Sequence, residues 1–448
     1  MKKRFSILLI SLLIVASFVM PSKTAYAEHS DERKLSFGAD GTFTLLILSD
    51  LQDTQYTTEL VQSGSSGVIK DYPADLIILL GDQLEGPSPV LRIGNGEQNC
   101  IKAIETLLKP VADSGIPFAV VFGNHDFEAP LSIRKQAELY ESYDNCIGVS
   151  YGSGSTEDGA FVLPVYEHDS DNALMALYFF DSGSYIANGD YNTVSEKQVA
   201  WYNEQSAAFR LANDSQALPS VAFCHIPLPE VYKLFTEVEK GSSGAFKGVG
   251  VGAGKYYLPD DSVIFTGDVN ESPCPSSENH GLFDAYQKNG DVFLTVNGHD
   301  HVNSFIGNVD GIDIANAPGS SYTSYGDESV RGVRLFRFTE HCIKDYETLH
   351  VRYSDYNTPA SFGYLRYYFT TTTGVYNAIK VAALLVLLLA ALIVLIILCA
   401  RKKKSVAEGI AEVVSDEFDE APDSPPSDLS QPCSEPSPEE SGSSEKDN

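Results

Sequence analysis

Five short apolar runs in this chain each end in side chains that can hold a metal ion. Residues 43–49 (FTLLILS) run into Asp50, and residues 75–80 (DLIILL) run through Gly81 into Asp82. Residues 117–122 (PFAVVF) run through Gly123 into Asn124, His125 and Asp126. Residues 220–224 (SVAFC) run into His225, and residues 291–297 (DVFLTVN) run through Gly298 into His299, Asp300 and His301. Carboxylate, amide and imidazole groups are ligands for divalent and trivalent cations. Two such cations held close together can clamp a phosphoryl group, lower the pKa of a shared water and steady the entering and leaving oxygens. That arrangement needs one carboxylate to bridge the ions and further oxygen or imidazole ligands around each. Asp50, Asp82, Asn124, His225, His299 and His301 are of the right types. The remaining histidines, His29, His168, His280, His341 and His350, follow no such run, and surface or packing roles are expected for them.

Ligands of such different sequence position can meet only if the runs are strands that end at one edge. Each run is short and rich in Val, Ile, Leu and Phe, which reads as a buried strand rather than a helix. In open α/β sheets ligands collect just past the carboxyl ends of the strands, where these side chains fall. Further strands are expected at 173–180, 311–317, 333–338 and 348–353. Helical spacing of apolar residues predicts helices at 99–112, 131–143 and 194–211, the last carrying the only tryptophan, Trp201. Strands alternating with helices argue for α/β layers. The glycine-rich stretch 241–254 has no periodicity and reads as a surface insertion rather than a lid.

The ends of the 448-residue chain stand apart from this pattern. Lys2, Lys3 and Arg4 precede an apolar stretch, and Ala25-Tyr26-Ala27 offers a small-x-small cleavage site, so residues 1–27 read as a secretory signal peptide. Residues 28–42 are a polar lead-in. Residues 381–400 form an uninterrupted apolar run that, as a helix, is about 30 Å long, the thickness of a bilayer's hydrocarbon core. Arg401 and the three lysines after it place the C-terminus in the cytoplasm and the catalytic body, 43–353, outside, with a juxtamembrane connector at 354–380. The acidic tail from 401 to 448 is rich in Ser, Pro, Glu and Asp and is expected to be disordered. A net charge of −30 argues against non-specific binding to nucleic acid, and no nucleic-acid partner is expected. The seven cysteines include no CxxC pair, which excludes a zinc-ribbon or thioredoxin-like signature. Cys224, inside a strand, reads as a small buried hydrophobe.

Taken with their spacing, Asp50-Leu51-Gln52, Gly81-Asp82, Gly123-Asn124-His125-Asp126, His225 and Gly298-His299-Asp300-His301 resemble the five sequence blocks of the calcineurin-like metallophosphoesterases. The phrases FFDSG (179–183), CHIPLPE (224–230) and GHDHVNSF (298–305) are similar to the single-domain, purple-acid-phosphatase-like branch. The resemblance implies a layered αββα sandwich of two mixed sheets flanked by helices. It implies two divalent or trivalent metal ions (Mn, Fe, Zn or Mg) that Asp82 bridges. Asp50 and His301 serve the first ion, and Asn124, His225 and His299 serve the second. It also implies that His125 contacts the phosphate and assists the leaving oxygen, its ring steadied by Asp126, while a metal-bridging hydroxide attacks phosphorus directly.

One position departs from the family pattern. Gln52 stands where the D-x-H histidine is expected, and Glu85 stands where the purple acid phosphatases supply a tyrosine. Gln52 can ligate through its amide oxygen, which suits a hard cation, and Asp53 or Glu85 can help. The expected function is therefore a membrane-anchored extracellular phosphoesterase acting on phosphate monoesters, with diesters second. The competing expectation is a cell-surface binding module on the same scaffold, since folds host many functions; a site built only for binding has no need of His125. Asn213-Asp214-Ser215 and Asn270-Glu271-Ser272 fit glycosylation sequons.

Overall fold

The structure is a computed structural model that describes residues 34–56, 59–356 and 372–419. The chain divides into two units, the first ending at Ile379 and the second beginning at Lys380. The first is built on two large sheets. One contains β1 (Thr42–Leu48), β2 (Leu76–Leu80), β3 (Phe118–Val121), β4 (Cys146–Val149), β15 (Gly332–Thr339) and β16 (Glu347–Arg352), in the order β16-β15-β1-β2-β3-β4. The strands from β1 to β4 are parallel, and β15 and β16 extend that sheet antiparallel.

The other contains β5 (Phe161–Tyr166), β6 (Ala173–Phe179), β7 (Ser220–Phe223), β11 (Ile264–Thr266), β12 (Val292–Asn297), β13 (Ile306–Val309) and β14 (Ile312–Asn316). Its order is β11-β13-β14-β12-β7-β6-β5, with a parallel centre from β14 to β6. Both sheets are mixed, as expected.

Strand periodicity sorts the core into three layers. Successive side chains point to opposite faces, so Leu45 and Ile47 of β1, with Ile78 and Leu80 of β2, face Leu177 and Phe179 of β6, Val221 and Phe223 of β7, and Leu294 and Val296 of β12. This layer lies between the sheets, with Phe161 stacked on Phe179 at 4.4 Å and Phe179 on Phe223 at 5.0 Å. The alternate residues Leu46, Leu48, Ile77 and Leu79 pack outward on α1 (Glu59–Asp71) and α2 (Gly96–Ser114). On the far side Tyr178, Ala222 and Cys224 pack against α5 (Glu196–Ala212) and α6 (Leu282–Asn289). The order helix, sheet, sheet, helix is the expected four-layer sandwich, and a strand buried on both faces reads as an unbroken apolar run.

Three features of the first unit differ from expectation. Helix α1 was not anticipated. The helix expected at 99–112 runs from Gly96 to Ser114, because the Asn95 side chain accepts from Gln98 N at 3.2 Å and Gly115 closes the other end at φ 68°. The stretch 241–254 is not wholly irregular: β9 (Phe246–Lys247) lies there and pairs with β10 (Tyr256–Pro259), which also pairs with β8 (Phe235–Val238).

Helix α7 spans Thr372–Asp419, and its residues 380–419 are the described part of the second unit. Residues Asn377–Ala411 are long and apolar enough to cross a membrane by length and composition. The helix continues past Ala400 through residues 401–419, where disorder was expected. Ala, Glu and Lys favour helix there, and Lys404 pairs with Glu408 one turn on at 3.7 Å. Residues 1–27, where a signal peptide is expected, most of 354–380, where a connector is expected, and residues 420–448 lie outside the described residues.

Candidate metal centre

The parallel strands of both sheets deliver their polar tips to one place. Asp50 and Asp82 follow β1 and β2 with φ of 53° and 52°, and His299 follows β12 at φ 71°. The left-handed conformation costs an L-residue about 1–2 kcal/mol, and such strain gathers where side-chain direction matters more than stability. It turns these three side chains off the strand direction and toward one another. Gly123 shows how tight the approach is, since a Cβ there would lie 2.2 Å from Asp82 Oδ1.

His225 is wholly buried. Its Nδ1 donates to the carbonyl of Leu80 at 2.9 Å, which leaves Nε2 to face Asp82 Oδ2 at 3.2 Å and Asp50 Oδ1 at 3.9 Å. His301 repeats the device: Nδ1 donates to the carbonyl of Tyr325 at 2.9 Å, and Nε2 faces Asp50 Oδ1 at 3.3 Å. The ligating atoms of Asp82, His225 and His299 all lie within 4.8 Å of one another. Asp50 Oδ1, Asn124 Oδ1 and His225 Nε2 are buried with no hydrogen-bond partner. A buried acceptor without a donor is costly, and here several converge. The position calls for positive charge, and the donor set of carboxylate, amide oxygen and imidazole fits a hard or borderline metal cation.

The local electrostatics agree. Burial alone would lower the His225 ring, yet Asp82 and Asp50 outweigh it and push it up to about 10. Burial would raise the Asp82 carboxyl, but His225 and His125 beside it hold it below the usual carboxylate range. His299, buried and next to His225, is pushed down to about 3.

The second oxygen of Asp50 is committed to the protein. Asp50 Oδ2 accepts from Ser49 Oγ at 2.6 Å and from His299 N at 3.1 Å, so that oxygen is fixed and Oδ1 turned toward the imidazoles. Asp82 Oδ1 accepts from His125 N at 2.7 Å. Asn124 donates through Nδ2 to the Tyr185 hydroxyl at 3.2 Å, which turns its amide oxygen the other way.

Two expectations need correction. Gln52 is buried next to Asp82, but its amide nitrogen donates to Asp82 Oδ2 at 2.9 Å. In this arrangement the amide nitrogen serves the carboxylate as a donor. Asp126 does not touch the His125 ring. Its two oxygens accept from Leu84 N at 3.0 Å and Gly123 N at 2.9 Å and so brace the loop after β2 and the turn after β3. Glu128 is the ring's partner, with Oε2 2.5 Å from His125 Nδ1. The physical reason is helical geometry. His125 lies in the short helix α3 (Asn124–Glu128), where neighbours in sequence diverge and residues three apart face each other. Glu128 was therefore findable from sequence. Ser49, Tyr185, Tyr191 and Tyr325 reach the site from a strand end and from distant loops, and no spacing rule announces the loop residues. His168, His280 and His350 hydrogen-bond backbone carbonyls elsewhere.

The fold, a four-layer sandwich with a cage of Asp, Asn and His at its strand tips, defines the class of metal-dependent phosphoesterases. The calcineurin-like phosphoesterase family matches residues 43–303, more than half of the chain. The chain belongs to that family. It is 24% identical over 367 residues to probable inactive purple acid phosphatase 14 of Arabidopsis thaliana, covering 72% of this chain and 82% of that one. It is 25% identical over 333 residues to probable inactive purple acid phosphatase 29 of the same plant, covering 66% and 76%. Phosphatase DCR2 of Saccharomyces cerevisiae matches at 27% over 205 residues, 40% of this chain and 32% of that one. Among solved structures, a dimetal phosphatase from Danio rerio covers 69% of this chain and 99% of its own, at 13% identity and a TM-score of 0.42.

Proposed function

We propose that this protein is a metal-dependent phosphoesterase that hydrolyses phosphate monoesters, with diesters a second substrate class. The observation that carries the reading is the pair of imidazole nitrogens aimed at buried carboxylates, His225 Nε2 at 3.2 Å from Asp82 Oδ2 and His301 Nε2 at 3.3 Å from Asp50 Oδ1, with Asp50 Oδ1 and His225 Nε2 lacking a hydrogen-bond partner. Asp82, Asn124, His225 and His299 would hold one cation, and Asp50 and His301, with Asp82, a second. Bound cations supply Lewis acidity, which polarises the phosphoryl group and makes water a better nucleophile. Gln52, as donor to Asp82, and Ser49, as donor to Asp50, hold the carboxylates in place, a role outer-shell groups commonly fill.

His125 lies on the open side of the site with its Nδ1 held by Glu128. Burial would lower its ring, but Asp82 and Glu128 push it up to about 9, which favours the ring that carries a proton. It gives that proton from Nε2 to the departing ester oxygen, which otherwise leaves as an unstable anion. The apolar helix near the C-terminus, with the basic cluster Arg401–Lys404 after it, anchors the chain in a membrane with the phosphoesterase body outside.

A second reading is favoured by Gln52, which removes one expected ligand, and by relatives whose names call them inactive. In it the scaffold binds a phosphoester without turning it over. Purified full-length protein assayed with p-nitrophenyl phosphate and its bis-ester, after loading with Mn, Fe, Zn or Mg, separates the two. Metal-dependent release of nitrophenol supports the enzyme. Binding of phosphate with no turnover under any metal supports the scaffold.

A further inference from the structure

A pair of tyrosines stands at the rim of the metal centre, and apart from the Tyr185 hydroxyl that holds Asn124 their rings have no part in the chemistry above. Residues 184–192 form a narrow loop closed by a bridge between Tyr185 and Tyr191, with Asn192 N donating to Ser184 O at 2.9 Å and Ile186 N to Asp190 O at 2.8 Å. The loop is fastened on both sides. Ser184 Oγ donates to the carbonyl of Asn124 at 3.2 Å. Across the site, Ser276 Oγ donates to the carbonyl of Tyr191 at 2.7 Å, and Ser277 N to Asp190 Oδ2 at 3.1 Å.

The two rings continue the site outward. Tyr191 meets the ring of His299 edge-on at 4.3 Å, and Tyr185 stacks on Tyr191 at 5.5 Å, with 28° between the planes. Tyr185 is nevertheless 41% exposed. Tyr191 covers one of its faces, so the exposure falls on the rest of the ring. Isolated exposed aromatics are ordinary, but this one is held at its hydroxyl by Asn124 and at its face by Tyr191. A rigid ring in that position loses little freedom on binding another ring.

We infer that Tyr185 and Tyr191 form a leaving-group subsite for a planar aromatic ring, so that the preferred substrates are aryl phosphate monoesters. The inference rests on the phosphoesterase reading, in which His125 serves the leaving oxygen. Tyr185 is tied to Asn124, the residue before His125, and the group attached to that oxygen departs past it. Offset stacking on Tyr185 and an edge contact suit an aromatic ring, whereas a saturated ring of the same size gains the area but not the stacking.

The test compares phenylphosphonate with cyclohexylphosphonate, two non-hydrolysable ligands of similar bulk, by titration calorimetry on the full-length metal-loaded protein. The wild type is expected to bind the phenyl compound about three- to tenfold more tightly. Y185L is expected to reduce that ratio to near one, and Y185F, which keeps the ring, to preserve it. Equal binding by the wild type, or an unchanged ratio in Y185L, overturns the proposal; if Y185L fails to fold, the wild-type ratio decides. A protein that turns over p-nitrophenyl phosphate but shows no phenyl preference loses only this inference. One that shows the preference without turnover keeps an aryl-binding subsite and loses both its leaving-group role and the phosphoesterase reading.

Discussion

His225 Nε2 lies 3.2 Å from Asp82 Oδ2, and the other nitrogen of the same ring is spent on the Leu80 carbonyl. The Leu80 bond fixes which nitrogen faces the carboxylate, an outer-shell device that orients metal-ligating histidines. His301 is set against Asp50 in the same way through Tyr325. Two elements from the second sheet thus aim imidazoles at carboxylates from the first, and the cage exists only when both sheets are assembled.

Removing Asp82 should therefore disable the site without unfolding the chain. Asp82→Asn is expected to lower turnover about 10²–10³-fold and to release bound metal. Metal analysis after dialysis, beside a circular dichroism spectrum matching the wild type, checks both parts.

Glu128 and Asp126 should separate by phenotype. Glu128→Gln weakens the partner of the His125 ring and is expected to lower kcat about tenfold or more with little change in melting temperature. Asp126→Asn can keep one of its two buried backbone hydrogen bonds and is expected to cost about 1–3 kcal/mol of stability. Parallel kinetics and denaturant titrations tell them apart. Equal loss of kcat in both, with equal stability, would contradict the assignment.

Gly123→Ala tests the close approach directly. A methyl group 2.2 Å from Asp82 Oδ1 must displace the carboxylate or the turn. Metal affinity is expected to fall by about 10–100-fold, the size seen when ligand orientation is disturbed, as read by competition with a chelating dye.

The stability of the body should also respond to pH at a position far from the cage. Burial, with Arg334 near it, pushes the His350 ring down to about 4 in the folded protein, against about 6.5 when unfolded. Between those values the unfolded chain binds the extra proton. Stability from the neutral ring is complete above about pH 6.5 and declines as pH falls toward 4. Melting temperatures from pH 7 to pH 4 should drop less steeply in His350→Gln than in the wild type, and identical slopes would contradict the assignment.

Much of this was legible in the residues. The apolar runs and their polar tips follow from strand periodicity, and strands tipped with Asp, Asn and His identify the cage before any contact is known. Gln52 shows the limit: its type and spacing suit a ligand, but only the fold shows its amide nitrogen turned to Asp82. Helix α1 was hidden because Gly64 and Gly67 interrupt its helical signal. They lie under Tyr353 and Tyr356, from nearly three hundred residues later, and a Cβ at Gly64 would stand 2.8 Å from the Tyr353 ring. Tyr185, Tyr191 and Tyr325 belong to loops whose course is set by tertiary contacts, so their nearness to Asn124, His299 and His301 respectively had no local trace.

The most direct measurement is the metal content of the purified full-length protein, with the positions of the ions located by anomalous diffraction. The account predicts two cations per chain, one among Asp82, Asn124, His225 and His299 and one beside Asp50 and His301, with the first lost in His225→Ala. A chain that turns over phosphate esters with no bound metal, or that holds its metal away from these residues, would contradict it.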